Sequence, residues 1–190
     1  LHELAQIPGI YWIRIQYCYP EEITQELIET IREEEKVCNY LDIPIQHASD
    51  RILKRMGRRT NQKQLREMIA SLRSQIPDIA LRTTLISGFP GETEEDQEEV
   101  MRFVDEMEFD RLGVFTYSPE EDTPAAKMDG QIEEEIKIER KNKLMSIQRD
   151  VVKEQIKLKI GNIYDTIIDS NNGEYFIGRS YEMAPEIDGL

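Results

Sequence analysis

The chain has 190 residues, with 24 Lys and Arg against 38 Asp and Glu, for a formal net charge of -14. With 39% hydrophobic and 33% charged residues it can build a core, which excludes a disordered chain, and no apolar run reaches the roughly 20 residues of a membrane helix. Two cysteines cannot make a disulfide framework and nothing at Leu1 resembles a secretory leader, so the expectation is a reduced, cytoplasmic protein without a membrane partner.

The charge is uneven along the chain. Residues 83–135 hold 17 acids and 3 bases, whereas residues 41–82 hold 9 bases and 4 acids. The acidic run at residues 94–99 reads as a solvated helix face. The basic run Arg51, Lys54, Arg55, Arg58, Arg59, Lys63 and Arg66 has no intervening acid. It reads equally as a solvated face or as a cluster that attracts an anionic ligand or partner. Overall acidity argues mildly against nucleic acid.

Taken in order, Tyr11-Trp12-Ile13-Arg14-Ile15-Gln16 reads as a strand, and a helix is expected to start at Pro20 with Ile23, Leu27, Ile28 and Ile31 at helical spacing. A second strand covers Tyr40-Leu41-Asp42-Ile43 and ends near Pro44. Helical patterns follow at Ser49, with Ile52, Leu53 and Met56, and again from Asn61 with Leu65, Met68, Ile69 and Leu72. Residues 79–87 are a third strand, broken by Gly88-Phe89-Pro90-Gly91. Thr93 and Asp96 form a capping-box variant ahead of a helix carrying Val100, Phe103, Val104 and Met107. Residues 112–117 are a fourth strand. This alternation predicts an α/β fold with a parallel sheet or part of a (β/α) barrel.

A loop over residues 118–130 leads to one long helix over residues 131–158. Ile132, Ile136, Leu144, Ile147, Val151 and Leu158 are expected to form its apolar stripe, interrupted by Arg140 and Gln155. Beyond Gly161, apolar residues on either side of Asn171-Asn172-Gly173 predict a small hairpin. The expected division is 1–158 for the barrel part and its helix, and 159–190 for a small β-rich unit.

In parallel βα folds ligands sit beyond the carboxyl ends of strands. Gly88-Phe89-Pro90-Gly91-Glu92 lets backbone approach a ligand and leads to a helix N-terminus, where N–H groups favour carboxylate or phosphate. His47 is a ligand, a base or a hydrogen-bonded structural histidine. Asp42 and His47 fall short of a metal set. Arg82, on the third strand, is expected to have a carboxylate partner, from the chain or from a ligand.

Pro44-Ile45-Gln46-His47-Ala48-Ser49-Asp50, then Ile52-Leu53-Lys54-Arg55-Met56, resembles the radical S-adenosylmethionine (SAM) methylthiotransferases. So does Ile86-Ser87-Gly88-Phe89-Pro90-Gly91-Glu92-Thr93-Glu94. Phe115-Thr116-Tyr117-Ser118-Pro119-Glu120-Glu121, Gly178-Arg179-Ser180-Tyr181 and Ala184-Pro185-Glu186-Ile187-Asp188-Gly189 look like the branch that modifies an aspartate of ribosomal protein S-twelve. The resemblance implies a C-terminal portion: part of a radical SAM barrel, a connecting helix, and the start of a TRAM domain. It also implies two 4Fe-4S clusters in the full-length enzyme, whose cysteine motifs are missing here, so no residue of this chain is assigned as catalytic or metal-binding and the fragment alone is expected to be inactive. A reduced cluster would cleave SAM to a 5'-deoxyadenosyl radical that abstracts hydrogen from carbon. The expected SAM-site residues are Gln46, Arg82, Gly88, Phe89, Pro90, Gly91, Glu92, Phe115 and Tyr117. The basic run and the TRAM piece are expected docking surfaces for the protein substrate, and an incomplete barrel is expected to self-associate through open strand edges. A transfer-RNA methylthiotransferase, a non-catalytic binding module and a metal-dependent lyase using Asp42 and His47 are the alternatives. Glu120-Glu121 at the rim disfavours the first, and the shortage of ligands disfavours the last.

Overall fold

Four parallel strands in the order β1-β2-β3-β4 form the sheet of a computed structural model that describes residues 1–185, 187 and 188. After a single helical turn, α1 (His2–Ala5), the strands β1 (Ile13–Ile15), β2 (Val37–Gln46), β3 (Ala80–Ser87) and β4 (Arg111–Thr116) alternate with helices. These are α2 (Gln25–Glu33) between β1 and β2, α3 (Asp50–Arg55) and α4 (Gln62–Gln75) between β2 and β3, and α5 (Glu94–Met107) between β3 and β4. The expected α/β alternation is therefore present. A long helix, α6 (Glu134–Lys159), leads to an antiparallel pair, β5 (Ile167–Asn171) and β6 (Phe176–Arg179).

Successive strand residues point to opposite faces. Leu41, Ile43, Ile45, Leu81, Leu85 and Val114 face the helices and join Ile28, Ile31, Leu65, Ile69, Leu72, Phe103 and Val104 in the main core. The other face carries Tyr40, Asp42, Arg82, Thr84, Ile86, Gly113 and Phe115, with Asp42 beside Arg82, Thr84 beside Gly113 and Ile86 beside Phe115 in the register. That face is the one available to a ligand.

Helix starts follow from local chemistry. Asn61 and Gln64 make a reciprocal capping box on α4, and Thr93 and Asp96 make one on α5, as the Thr93 spacing predicts. The α2 start differs from expectation: Pro20–Glu22 is a 3-10 turn, and the helix begins after Thr24, whose hydroxyl accepts from the Leu27 N–H. β2 also runs further than expected, past Pro44. The ladder shifts register between Ile43 and Gln46, so the missing proline N–H falls where pairing is already irregular.

The largest departure concerns α6, which at 26 residues is about 39 Å long. Only the middle of its expected apolar stripe docks: Leu144 and Val151 are buried and Ile147 packs on the main core, whereas Ile136 is exposed and Leu158 is 82% exposed. The buried positions are Lys137, Arg140, Leu144, Gln148 and Val151. Lys137 Nζ donates to the Tyr117 carbonyl and Gln148 Nε2 to the Phe109 carbonyl. Gln155 Nε2 donates to the Glu108 carbonyl, and Lys159 pairs with Asp110 and Glu182. The helix is held by donors aimed at strand and helix ends.

Residues 180–185, 187 and 188 return to the lower, amino-terminal end of the sheet. Ala184 packs on Tyr40 and Ala80, the Asp188 carboxylate accepts from the Tyr40 hydroxyl at 2.9 Å, and the Tyr181 hydroxyl donates to the Asp78 carbonyl at 2.9 Å. Of the motif Ala184-Pro185-Glu186-Ile187-Asp188-Gly189, Glu186 and Gly189 lie outside the described residues.

Candidate ligand site at the carboxyl ends of the strands

Three strand ends bend sharply on left-handed residues: Tyr17 (φ 57°) after β1, Gln46 (φ 71°) closing β2, and Gly88 (φ 76°) after β3. Positive φ is uncommon outside glycine and collects at functional sites. Beside Gln46 lies a cavity of about 370 Å³ lined by Gln46, Ile86, Phe89, Met56, Arg58 and Met128, with Thr123, Pro124, Ala125 and Arg55 completing its wall. That volume suits a small organic ligand, for which sites run roughly 300–1,000 Å³. A larger space of about 600 Å³ opens at the opposite end of the sheet, near Trp12, Cys38, Asp78 and Tyr181, away from the strand ends.

The expected site residues divide into those lining this cavity and those supporting it. Gln46 and Phe89 line it. Gly88, Pro90 and Glu92 are buried behind it. Gly91 donates its N–H to the Gly130 carbonyl at 2.7 Å, and a Cβ there would meet the Arg55 guanidinium at 3.2 Å. Tyr117 packs edge-on against Phe89 with ring centroids 5.3 Å apart. Burial, then the nearby Glu120, pushes its phenol pKa up. Phe115 stands on the ligand-facing side of β4, 59% exposed and outside the cavity wall.

Arg82 lies lower on the sheet. Its expected carboxylate partners are Asp42, at 3.0 Å from Nη1, and Asp188, at 3.2 Å from Nε. Burial opposes its charge, and Asp42 above all, then Tyr40 and Asp188, more than offset that, so its pKa is raised.

The anion seat expected at the start of α5 is filled by the chain itself. Glu92 Oε2 accepts the N–H of Gly88 at 2.9 Å and of Phe89 at 3.2 Å. Asp96 accepts from Thr93 and from the Ser49 hydroxyl, and pairs with Arg51. Burial by itself would raise the Asp96 carboxyl, but hydrogen bonds from Arg51, Ser49 and Thr93 hold it well below the usual carboxylate range. Two carboxylates therefore occupy the position assigned to a ligand anion. His47 is buried, with Nδ1 accepting the Ser49 N–H at 2.9 Å and Nε2 3.5 Å from Glu92 Oε2.

The basic run resolves into distinct roles. Arg51 holds Asp96 and the Gly91 carbonyl, Arg55 holds the Pro90 carbonyl at 3.0 Å, and Arg66 pairs with Glu106. Arg58 differs. Its guanidinium stacks over the Tyr19 ring, 5.3 Å from the centroid, and its one hydrogen bond, to the Pro44 carbonyl, is 3.4 Å long. The ion pairs found among the described residues include none to Arg58, so a residue that lines the cavity carries a guanidinium with spare donors. Sequence reading grouped Arg58 with six other bases and had no signal to separate it.

For iron–sulfur ligation the residues of this chain do not fit. Cys38 is buried at the start of β2, Cys18 follows β1, and the described residues contain no group of three or more His, Cys, Asp or Glu placed to hold a metal. No described helix is long and apolar enough to cross a membrane.

Comparison with known proteins bears on the fold and the family. The chain is 58% identical over 191 residues to "Ribosomal protein uS12 methylthiotransferase RimO" of Lachnoclostridium phytofermentans, covering 100% of this chain and 43% of that protein. It is 56% identical over 189 residues to the protein of the same name from Clostridium botulinum, covering 100% and 42%. The chain thus spans about two-fifths of the length of these curated relatives. In fold it is similar to coproporphyrinogen III oxidase (HemN) of Escherichia coli, a radical SAM enzyme, with TM-score 0.56 at 22% identity over 81% of this chain and 33% of that one. The archaeal Methanocaldococcus infernus Elp3 gives TM-score 0.56 at 15% identity over 73% and 32%. The TRAM domain profile matches residues 160–190, which contain the β5–β6 hairpin. The radical SAM superfamily profile matches residues 1–104, more than half of the sequence and all of β1 to β3 with their connecting helices, and the chain belongs to that superfamily.

Proposed function

We propose that this chain carries the SAM-binding strand ends of a methylthiotransferase that modifies an aspartate of ribosomal protein S-twelve in the cytoplasm. The observation that supports it most is the cavity where Gln46, Arg58 and Phe89 meet, in a chain that aligns over its whole length with about two-fifths of the RimO relatives. SAM held at these strand ends would supply the hydrogen abstraction from carbon that this chemistry requires, given an electron from a cluster held on ligands outside this chain. Two 4Fe-4S clusters are assigned to the full-length enzyme, on ligands other than the residues of this chain.

The residues present suit the cofactor's organic parts. Phe89, Ile86, Met56 and Met128 offer an apolar bed for an adenine ring. Gln46, held in a left-handed bend, presents an amide that can both donate to and accept from ribose hydroxyls. Arg58 has the spare donors that a methionine carboxylate needs. The Gly88–Glu92 turn acts through Phe89, whose ring it carries, and Tyr117 supports that ring from behind. Arg82 belongs to the sheet's own ion pairs and is assigned to holding the fold below the ligand.

A protein substrate fits the rim better than a nucleic acid. The loop that supplies Thr123, Pro124 and Ala125 to the cavity also exposes Glu120, Glu121 and Asp122, which would repel a phosphate backbone.

The test offers the full-length, cluster-loaded protein ribosomal protein S-twelve and transfer RNA in parallel, with SAM and a reductant. The expected product is a methylthio mass increment on the protein. Modification of the RNA alone would reject the assignment.

A further inference from the structure

The cavity depends on two strand ends that are held from outside the sheet. β3 passes into Gly88, where a Cβ would lie 2.2 Å from Lys137 Cγ, and β4 passes into Tyr117, whose carbonyl accepts Lys137 Nζ at 2.9 Å. Three residues further along the same face of α6, Arg140 Nη1 donates to the Glu92 carbonyl at 3.1 Å and to Glu92 Oε1 at 2.9 Å. The other oxygen of that carboxylate takes the Gly88 and Phe89 N–H groups. Arg140 is 7% exposed and Glu92 5%. Among the described residues the remaining polar neighbour of the Glu92 carboxylate is His47, with Nε2 3.5 Å away.

We propose that Arg140, on the helix leading out of the sheet, is a positioning residue for the ligand cavity, acting through Glu92 on the Gly88–Phe89 backbone. The chain of contacts is short and each link is buried. The guanidinium fixes the carboxylate, the carboxylate fixes two backbone N–H groups, and those set the Phe89 ring that forms the cavity wall. A buried carboxylate without its cation is strongly destabilised, so removing Arg140 costs the turn the acceptor that organises it. The exposed alternative is absent by geometry: Glu92 has no water-facing oxygen to fall back on, its side chain being 0% exposed.

Only the ligand-binding part of the test rests on the cavity taking SAM. Three variants of the protein carry it: Arg140→Met, Arg140→Lys, and Arg140→Met combined with Glu92→Gln. The readouts are hydrogen exchange at individual amides and binding of S-adenosylhomocysteine as probe. In Arg140→Met, exchange at Gly88 and Phe89 should accelerate more than at the β2 amides, and probe binding should weaken about tenfold, the loss of one buried charge-assisted hydrogen bond. The side-chain amide that Glu92→Gln introduces accepts hydrogen bonds without a charge to balance, so the double variant should recover both readouts. Arg140→Lys keeps the charge with fewer directed donors and should fall between; it carries the test if Arg140→Met does not fold. Unchanged exchange at Gly88 and Phe89, an equal rise across the sheet, or failure of Glu92→Gln to restore the turn would each overturn the proposal. If the unmodified protein does not bind the probe while the exchange pattern appears as expected, the SAM reading fails and the positioning role stands.

Discussion

The face of the sheet that carries Tyr40, Asp42 and Arg82 is built differently at its two ends. Near the amino ends of the strands, Tyr40, Asp42, Arg82 and Asp188 close on one another, with Tyr181 and Ala184 packed beside them. Near the carboxyl ends, Gln46 and Arg58 border an open cavity with donors to spare. Both ends are polar, and polarity therefore does not distinguish them. Satisfaction does: a polar group whose partners are all internal contributes to stability, and one left with capacity beside a cavity is available to a ligand.

The strongest way to break this contrast is Arg82→Met. It leaves the Asp42 and Asp188 carboxylates, 4% and 2% exposed, without their cation. Breaking a buried pair in this way costs about 3–5 kcal/mol, to be read as a lowered midpoint in urea unfolding. If Arg82→Met instead unfolds like the parent and loses ligand affinity, Arg82 belongs to the upper end after all. Arg58→Ala should do the reverse. Affinity for S-adenosylhomocysteine should fall by about 10- to 100-fold, as expected for a charged hydrogen bond, with stability within about 0.5 kcal/mol of the parent. Isothermal titration of the full-length protein checks the first and thermal unfolding the second.

The contrast also explains what the sequence makes legible. Strands and helices carry their own periodicities, so β3, β4, α4 and α5 appear in the residue pattern close to their observed bounds. The glycine and proline cluster at Gly88-Phe89-Pro90-Gly91 marks the turn beside the cavity for the same local reason. What escapes is which distant partner a buried polar residue takes. Arg82 and Asp188 are 106 positions apart, and Arg140 and Glu92 are 48 apart. Hydropathy counts Arg140 as an interruption of the α6 stripe and passes over Lys137 and Gln148, because it does not register that carbonyls at the strand and helix ends need donors. The same blindness hides Arg58, whose character lies in the partners it lacks.

Asp96 tests the boundary between the two kinds of end, since it sits beside the cavity turn yet is fully used. Its folded pKa is depressed below the unfolded value of about 3.9, so the stability it contributes is complete above that value and is lost as pH falls through the folded pKa. Asp96→Asn should destabilise by about 1–2 kcal/mol at pH 7, in the range of a lost helix cap. Against the parent, that difference should shrink below about pH 4. A difference that stays constant into acid would mean that geometry at Thr93 and Ser49, rather than charge, is what Asp96 supplies.

The smallest effect is expected in the β5–β6 hairpin, where the partners are few. Phe176 is 71% exposed and Tyr175 65%, and the Arg179–Asp169 pair is the hairpin's own. Phe176→Ser should therefore change unfolding free energy by less than about 0.5 kcal/mol. Its sharper readout is association. Exposed aromatic residues and the open edges of β1 and β4 both favour contact between copies. If the hairpin supplies that contact, Phe176→Ser makes sedimentation of the chain independent of concentration while leaving its unfolding midpoint in place. If association persists unchanged, the strand edges carry it, and the exposed ring on the hairpin is spare surface in the way that Gln46 and Arg58 are spare donors: capacity that the chain's own residues leave unused.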